Sequence, residues 1–396
     1  NGFFSATRKD AVVNLSDTGE ANALKFSSFT ETGYHRTSSE IDRKNQIREQ
    51  VYGGHMSYRG GRFIIGITGF YGKWNGVLQP KQEAYKRFML QGNTFGGVGI
   101  DGRCRIGFAQ LFGEFSVSAN SGRAWLLGCS AIPVQGIDLL VILRSYQPEY
   151  QNPFATAISQ NSLTANEQGI FLRLQTQFLP KMTISGYADL FRFPWLRYQV
   201  HSPSDGFEAG LSVHYQASSY WFCSLRYGIK QGEVNSAFSE SKIPPLTKEC
   251  RNDLKAEVNL SPIPILTLRS CLALRNYRIA GQQRVWGYLG GQDITIRIPG
   301  VFRVIRLNYL LFDIPYYHAR IYLYEPDLLY SFSAPAISGR GIRMVFLLQA
   351  GIFRKVDLWV WLGMSNFMDR EIIGSGLETI NGSLKSEVKI QVRVRL

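Results

Sequence analysis

Histidine and cysteine are the residues of this sequence best suited to metal binding or nucleophilic chemistry, but their spacing supports neither. None of the five histidines falls in an HxxxH or HExxH pattern, and spacing ties none of them to a nucleophile or a carboxylate. The five cysteines are scattered, odd in number and without a CxxC pair, so they predict neither a zinc site nor a disulfide framework. We therefore expect no catalytic residue, no cofactor, no metal site and no enzymatic activity.

The last stretch of the chain, 383–396, alternates between apolar and charged residues. Successive side chains of a β-strand point to opposite faces, so one face of this strand is apolar and the other is ionic. The charged positions are too many for a packed interior, so we expect the apolar face to meet lipid and the ionic face to meet water. The run 266–275 alternates in the same way. Together the two stretches give these candidate lumen-facing residues: Arg269, Arg275, Lys389, Arg393 and Arg395.

Comparable amphipathic runs follow one another from about residue 21 to Leu396. Short turns, such as 353–355, alternate with longer polar segments, such as 231–248, a pattern typical of outer-membrane barrels with periplasmic turns and extracellular loops. The connections indicate roughly 18 strands, within a range of about 16 to 20. We predict an all-β fold: an antiparallel transmembrane β-barrel over residues 21–396, whose last strand pairs with its first. Residues 1–20 are interpreted as an N-terminal segment that holds at most a partial strand.

The most unusual of the long segments is an aromatic outer loop at 313–341. It is interpreted as a hairpin-like extension of the outer rim or as an inward-folded loop. Tyrosine combines apolar area with a hydrogen-bonding tip, so such a loop could bind a partner. The alternative is that its aromatic residues belong to the interfacial girdle, a choice that also applies to the segment 193–198. The candidate partner contacts are Tyr316, Tyr317, Tyr322, Tyr324, Trp195 and Tyr198.

Composition agrees with a large membrane sheet and leaves one alternative partner open. The chain has 39 Gly, 20 Tyr, 25 Phe and 7 Trp, residues suited to strands, turns and interfacial girdles. Its formal charge of +14 is explained by arginines and lysines that line a solvated lumen, while nucleic-acid binding is the alternative interpretation.

Several stretches resemble the barrel portion of a family of outer-membrane proteins from Bacteroidota that are labelled by a helix-hairpin-helix region preceding the barrel. The matching stretches are 31–37 with Glu40-Ile41, Arg87-Phe88, 92–94, 166–169, 194–198, 320–330 and 374–382. The resemblance implies an outer-membrane barrel. The helix-hairpin-helix region itself is absent here, and its nucleic-acid association attaches to that missing region. The absence implies that the chain is a fragment or a shortened relative, and the final Leu396 stands where the family usually has an aromatic residue.

Three functions are open at this point. The first is an outer-membrane barrel that serves as an accessory protein, scaffold or pore subunit of the bacterial cell envelope, because the sequence shows architecture without a catalytic constellation. The second is a barrel that binds or takes up DNA or another polyanion. The third is a soluble all-β binding protein. The partners expected for the first function are the lipid bilayer of the outer membrane and other envelope proteins.

Overall fold

The computed structural model describes residues 1–14, 24–236, 241, 243–353 and 355–395. Several sequence predictions fall partly outside these residues. They concern the boundary between the segment 1–20 and a barrel beginning at 21, the centre of the loop 231–248, Arg354 in the turn 353–355, and Leu396. Within the described ranges, no helix combines the length and the apolar character needed to span a membrane.

The described residues form one large sheet of 20 strands and two small two-stranded sheets. The chain divides into two compact units, the first comprising 1–174, 188–207 and 232–247, and the second comprising 175–187, 208–231 and 248–396. Five strands contribute residues to both units. These are β10 (Glu167–Leu179), β11 (Met182–Phe193), β12 (Ser204–Ser218), β13 (Trp221–Asn235) and β14 (Leu246–Ile263).

The strands of the first unit are β1 (Gly2–Lys9), β2 (Ala11–Asn14), β3 (Lys25–Phe29), β4 (Ile47–Gly60), β5 (Phe63–Leu78), β6 (Gly92–Ile106), β7 (Ala109–Ser118), β8 (Arg123–Val134) and β9 (Ile137–Tyr146). From β4 to β9 they form an antiparallel meander in which neighbours in sequence pair with each other. Strand β4 also pairs with β1, which is not its neighbour in sequence. Short β3 pairs with β2 and also runs parallel to the end of β5.

One helix, α1 (Ser38–Asp42), lies in the loop before β4, and its start is fixed by a capping box. The Thr37 side chain accepts from the Glu40 backbone N–H, and the Glu40 carboxylate accepts from the Thr37 backbone N–H. The same loop is tied to the end of β1, because Asp10 accepts from the Asn45 backbone N–H at 2.8 Å and contacts His35 Nε2 at 2.7 Å.

The strands that lie wholly in the second unit are β15 (Leu266–Ile279), β16 (Val285–Arg297), β17 (Phe302–Ile314), β18 (Ile321–Tyr322), β19 (Ala336–Ile337), β20 (Gly339–Phe353), β21 (Val356–Phe367), β22 (Ile372–Ile373), β23 (Ile380–Asn381) and β24 (Leu384–Val394). The antiparallel pairing runs from β14 through β15, β16, β17, β20 and β21 to β24. Three single 3-10 turns complete the described elements: Ala84–Lys86, Tyr317–Ala319 and Gly376–Glu378.

The two faces of the strands differ as an interface between lipid and water requires. On β24, Val388 and Ile390 are 66% and 65% exposed, whereas Lys389 between them is half-buried and contacts protein atoms. Exposure of this much apolar side chain on a regular face is typical of a strand that meets lipid. The predicted fold class, the all-β antiparallel class of transmembrane β-barrels, is confirmed.

The predicted number of strands, about 18 within a range of 16 to 20, agrees with the 20 strands of the large sheet. The 18 strands counted from residue 21 onward correspond to β3–β17, β20, β21 and β24. The other two, β1 and β2, lie in the segment 1–20, for which the sequence predicts at most a partial strand. Strand β1 pairs along its whole length with β4, whereas β2 has only four residues, too few for a period of two to be recognised.

Candidate functional site

The loop between β17 and β20 lies on the polar face of the second unit, which is the face that lines the lumen in a barrel of this class. Every described residue of β21 on this face, from Asp357 to Ser365, is buried. A water-filled lumen would leave such a row exposed. The loop packs on the middle of this row, at Trp359 and Trp361, while strand arginines cover Asp357. The alternative of an inward-folded loop, left open by the sequence, is therefore the one that the structure shows.

A buried ion pair fixes the middle of this loop. Arg343 of β20 donates from Nε to Glu325 Oε2 at 2.7 Å and from Nη2 to Glu325 Oε1 at 2.8 Å. Its remaining nitrogen donates to Ser365 Oγ at 2.7 Å, and the Ser333 hydroxyl donates to Glu325 at 2.9 Å. The side chains of Arg343 and Glu325 are only 11% and 3% exposed. This two-point geometry makes the contact both strong and directional.

A second ion pair follows two residues later. Lys389 Nζ lies 3.0 Å from Asp327 Oδ2 and 4.3 Å from the ring centroid of Trp361. The Trp361 indole N–H donates to the Pro326 carbonyl at 2.7 Å. Next along the loop, Leu328 and Leu329 pack against an apolar cluster on the sheet, formed by Val345, Leu347, Trp359 and Trp361. Charge, hydrogen bonding and apolar burial therefore hold the same short segment, 325–329.

The beginning of the loop is held by contacts with β15. Arg275 donates to Asp253 and to the Arg320 carbonyl oxygen. The ring of Tyr316 stacks near His318, with centroids 5.1 Å apart, and both rings lie near Tyr277. A small apolar core beneath this turn includes Ile314, Ala319, Ile321, Leu323 and Ile337.

The loop does not fill all the space above the sheet. A polar cavity of about 270 Å³ remains beside the Glu325–Arg343 pair, and its lining includes Lys385, Glu387 and Arg370. The cavity is large enough for several water molecules or one small polar solute.

The candidate lumen-facing cations all lie on the polar face, and each is paired with a carboxylate. Arg393 and Arg395 donate to Asp357 at 2.6 and 3.0 Å, and Arg303 donates to the same carboxylate at 2.7 Å. Asp357 is completely buried. The other pairs are Arg269 with Glu257 at 2.6 Å, Arg275 with Asp253, and Lys389 with Asp327.

The first unit has its own docked loop, 147–166, which is fixed by a buried ionic triad. Arg144 of β9 donates to Glu167 at 2.7 Å and, through two nitrogens, to Asp189 at 2.8 and 2.9 Å. The side chains of Arg144 and Glu167 are 0% exposed. Gly169 lies against the guanidinium, since a Cβ built there would lie 2.7 Å from the Arg144 Cζ atom, so a larger residue would displace it.

The loop closes over this triad by hydrogen bonds to the two carboxylates. Glu167 Oε2 accepts from the Ser159 hydroxyl at 2.7 Å and from the Gln160 backbone N–H at 2.8 Å. The Gln160 side-chain amide donates to Asp189 at 2.8 Å. Tyr146 Oη donates to the Ile158 carbonyl at 2.9 Å, so the loop and the strand are joined on both sides of the triad.

The candidate partner contacts separate into two groups. Trp195 and Tyr198 meet the loop 79–91 of the first unit, where Trp195 donates to the Ala84 carbonyl at 3.2 Å and the Tyr198 ring lies 5.7 Å from the Tyr85 ring. In the second unit, Tyr317 and Tyr322 flank Arg320, which donates to the Tyr322 hydroxyl at 2.8 Å. The Tyr324 ring lies 5.8 Å from the Phe332 ring. All six therefore have protein neighbours, while Tyr198, Tyr317 and Tyr322 remain largely exposed.

Sequence reasoning missed the acidic partners in these clusters and two of their arginines. The missed acidic residues are Glu325, Asp327, Asp357, Glu167 and Asp189, and the missed arginines are Arg343 and Arg144. A signal was present in the strands, because acidic residues recur on the same alternate positions as the arginines. On β14, Asp253 lies opposite Arg275 of β15, and Glu257 lies opposite Cys271, two residues from Arg269 on the same face. In the part of the chain that the structure describes, no group of three or more His, Cys, Asp or Glu side chains is arranged to hold a metal ion.

No family model matches the chain, and no curated protein matches it. Among solved structures, the chain is similar to OccAB3 from Acinetobacter baumannii, with 9% identity, a TM-score of 0.40, and coverage of 88% of this chain and 91% of that one. It is also similar to OccK1 (OpdK) from Pseudomonas aeruginosa, with 8% identity, a TM-score of 0.40, and coverage of 99% and 96%. A third similar structure is the anion-selective porin from Comamonas acidovorans, with 11% identity, a TM-score of 0.36, and coverage of 88% and 98%.

The two-faced strands of the chain indicate where the protein is located. They present apolar side chains on one face and ionic side chains on the other, and in a bilayer only a closed barrel satisfies the backbone of such strands. Barrels of this class lie in outer membranes, in agreement with the predicted location.

Proposed function

We propose that the protein is an outer-membrane β-barrel that acts as a scaffold or accessory subunit of the cell envelope, with its polar face closed by docked loops. The observation that carries the proposal is the loop 313–341, which the Glu325–Arg343 and Asp327–Lys389 pairs hold against the sheet. A wide diffusion pore needs an exposed polar lining, whereas the described residues of β21 on this face are buried from Asp357 to Ser365 and the loop packs directly on Trp359 and Trp361.

Conductance in planar bilayers tests this proposal. We expect the purified wild-type chain, shown to be folded by heat-modifiable gel mobility, to give little or no ohmic conductance. A variant with Glu325→Gln and Asp327→Asn loses both charges that hold the loop and should show discrete conductance steps. The matched control is Asp313→Asn, which removes one carboxylate at an exposed ion pair with Arg340 at the loop ends. Large, stable steps from the wild-type chain would contradict the proposal.

Binding of DNA or another polyanion is the alternative supported by the net charge of +14. The ion pairs weaken it, because each predicted lumen-facing cation already has a carboxylate partner. Block of wild-type conductance by double-stranded DNA, with a steep loss of affinity as salt is added, would favour it over the scaffold. The third possibility considered from sequence, a soluble β protein, conflicts with the regular rows of exposed apolar side chains.

A further inference from the structure

The apolar face of the first three long strands carries an ordered row of aromatic residues. Phe4 of β1 lies opposite Tyr52 of β4, and Tyr52 lies opposite Tyr71 of β5. All three side chains are about half exposed, and the Phe4 and Tyr52 rings lie 4.8 Å apart. Aromatic residues in such a row lie at the boundary between hydrocarbon and headgroups. Below the row, the same face continues with Met56 and Ile67, which are exposed and apolar.

A row of basic residues lies beyond the aromatic row, toward the long-loop end of the same strands. Lys73 is two residues from Tyr71, and Arg48 is four residues from Tyr52. At about 3.3 Å per residue, their backbones lie roughly 7 and 13 Å past the aromatic row along the strands. Both are exposed, as is Arg8, which pairs directly with Arg48 across the strands. The cations therefore lie at the level where lipid headgroups begin.

The strand register places Arg8 directly opposite Arg48, so two like charges face each other on the outward side. Directly opposite residues on one face of an antiparallel pair have Cβ atoms only about 4.5–5.5 Å apart, and like charges there are destabilising. Among the residues that the structure describes, none forms an ion pair or a hydrogen bond with the side chains of Arg8, Arg48 or Lys73, although the Arg48 backbone N–H donates to Asn75 Oδ1 at 2.8 Å. On the opposite face of the same strands, by contrast, Lys9 pairs with Glu49 at 3.6 Å. The outward row thus concentrates positive charge that a ligand can neutralise.

We propose that Arg8, Arg48 and Lys73 form a binding site for the phosphate groups of an anionic lipid in the outer leaflet. The inference rests on the membrane-embedded barrel proposed above, whose long-loop end faces away from the cell. Arginine presents a planar fork that matches phosphate, and a dianionic group between Arg8 and Arg48 removes their mutual repulsion. The aromatic row sets the depth of the lipid, and the apolar residues below it contact the acyl chains. The occupant is therefore a phosphorylated lipid rather than free phosphate.

The test is native mass spectrometry of the full chain in neutral detergent, titrated with a bisphosphorylated glycolipid and with the same glycolipid after removal of its phosphates. We expect the wild-type chain to retain the phosphorylated form only. Each basic residue near an anionic headgroup strengthens binding about fivefold, so Arg8→Gln with Arg48→Gln should weaken binding about 30-fold. Lys73→Gln alone should weaken it about fivefold, which provides a second variant if the double variant does not fold.

The matched control is Arg59→Gln with Arg62→Gln, which removes the same number of positive charges at the other end of the β4–β5 hairpin. This variant should bind the glycolipid as the wild type does. Equal weakening in both double variants would overturn the proposal, because only net charge would then matter. Full competition by millimolar inorganic phosphate would also overturn it, in favour of a free-anion site. A wild-type chain that shows no heat-modifiable barrel would instead refute the proposed function, whereas a folded chain without phosphate preference would refute only the lipid site.

Discussion

Replacing Glu325 with Gln should release the loop 313–341 from the sheet while leaving the strands intact. The change keeps the size of the side chain but removes the charge that faces Arg343. Breaking a buried ion pair by removing one partner costs about 3–5 kcal/mol, mostly because the remaining charge is left uncompensated. We expect a value near the lower end, since Arg343 is 11% exposed and keeps its hydrogen bond to Ser365. About 3 kcal/mol corresponds to a roughly 150-fold shift of the docking equilibrium toward the released loop.

Limited trypsin digestion measures this shift directly. Between residues 315 and 338 the sequence offers one trypsin site, after Arg320, so cleavage there reports loop release. When the loop opens and closes faster than it is cut, the cleavage rate follows the open population and should rise by about the same factor. Asp313→Asn disrupts only an exposed pair, in which Arg340 and Asp313 are 66% and 51% exposed, and should change the rate at most about fivefold. Similar rates for the two variants would show that the Glu325–Arg343 pair does not hold the loop.

Three further outcomes are expected. Arg144→Met leaves Glu167 and Asp189 buried without a cation and should lower the free energy of unfolding of the barrel by about 3–5 kcal/mol. Heat-modifiable gel mobility measured across a urea series tests this, and a loss below about 1 kcal/mol would mean that the triad is not coupled to folding. Hydrogen bonds from Arg36 lower the pKa of Glu40 from 4.5 to about 2. The stabilisation from the α1 capping box should therefore be full above pH 4.5 and decline as the pH falls from 4.5 through about 2, and amide-exchange protection of α1 that stays constant over this range would contradict this. Aspartate at Ile390 and Val392 should impair membrane insertion, because these side chains face lipid. Arg393→Gln with Arg395→Gln should leave insertion intact, because Arg303 still neutralises Asp357. Equal tolerance of the two double variants would refute the assignment of faces.

The sequence allowed the face of a side chain to be predicted wherever a strand is long and strictly alternating. Lys389 on β24 and Arg275 on β15 lie on the polar face because a period of two leaves no other choice. The ion-pair partners of these cations could not be predicted from the sequence, since they depend on strand register and on the path of the loops. Asp357 meets Arg393 across 36 residues and Arg303 across 54. No local pattern encodes such a meeting.

The positions of the carboxylate partners also change how the net positive charge is interpreted. From composition, +14 favoured a basic lumen and, through it, a polyanion. In the structure, the cations predicted for the lumen are paired with buried or half-buried carboxylates, and the loops close over several of these pairs. The outward cations Arg8 and Arg48 face each other with no such partner among the described residues. Charge that is already paired within a fold adds little to binding, so anions should be attracted first to the membrane-facing rim. A salt dependence of glycolipid binding would then report contacts with lipid phosphates at that rim, and it should be weakened by Arg8→Gln with Arg48→Gln but persist with Arg393→Gln and Arg395→Gln.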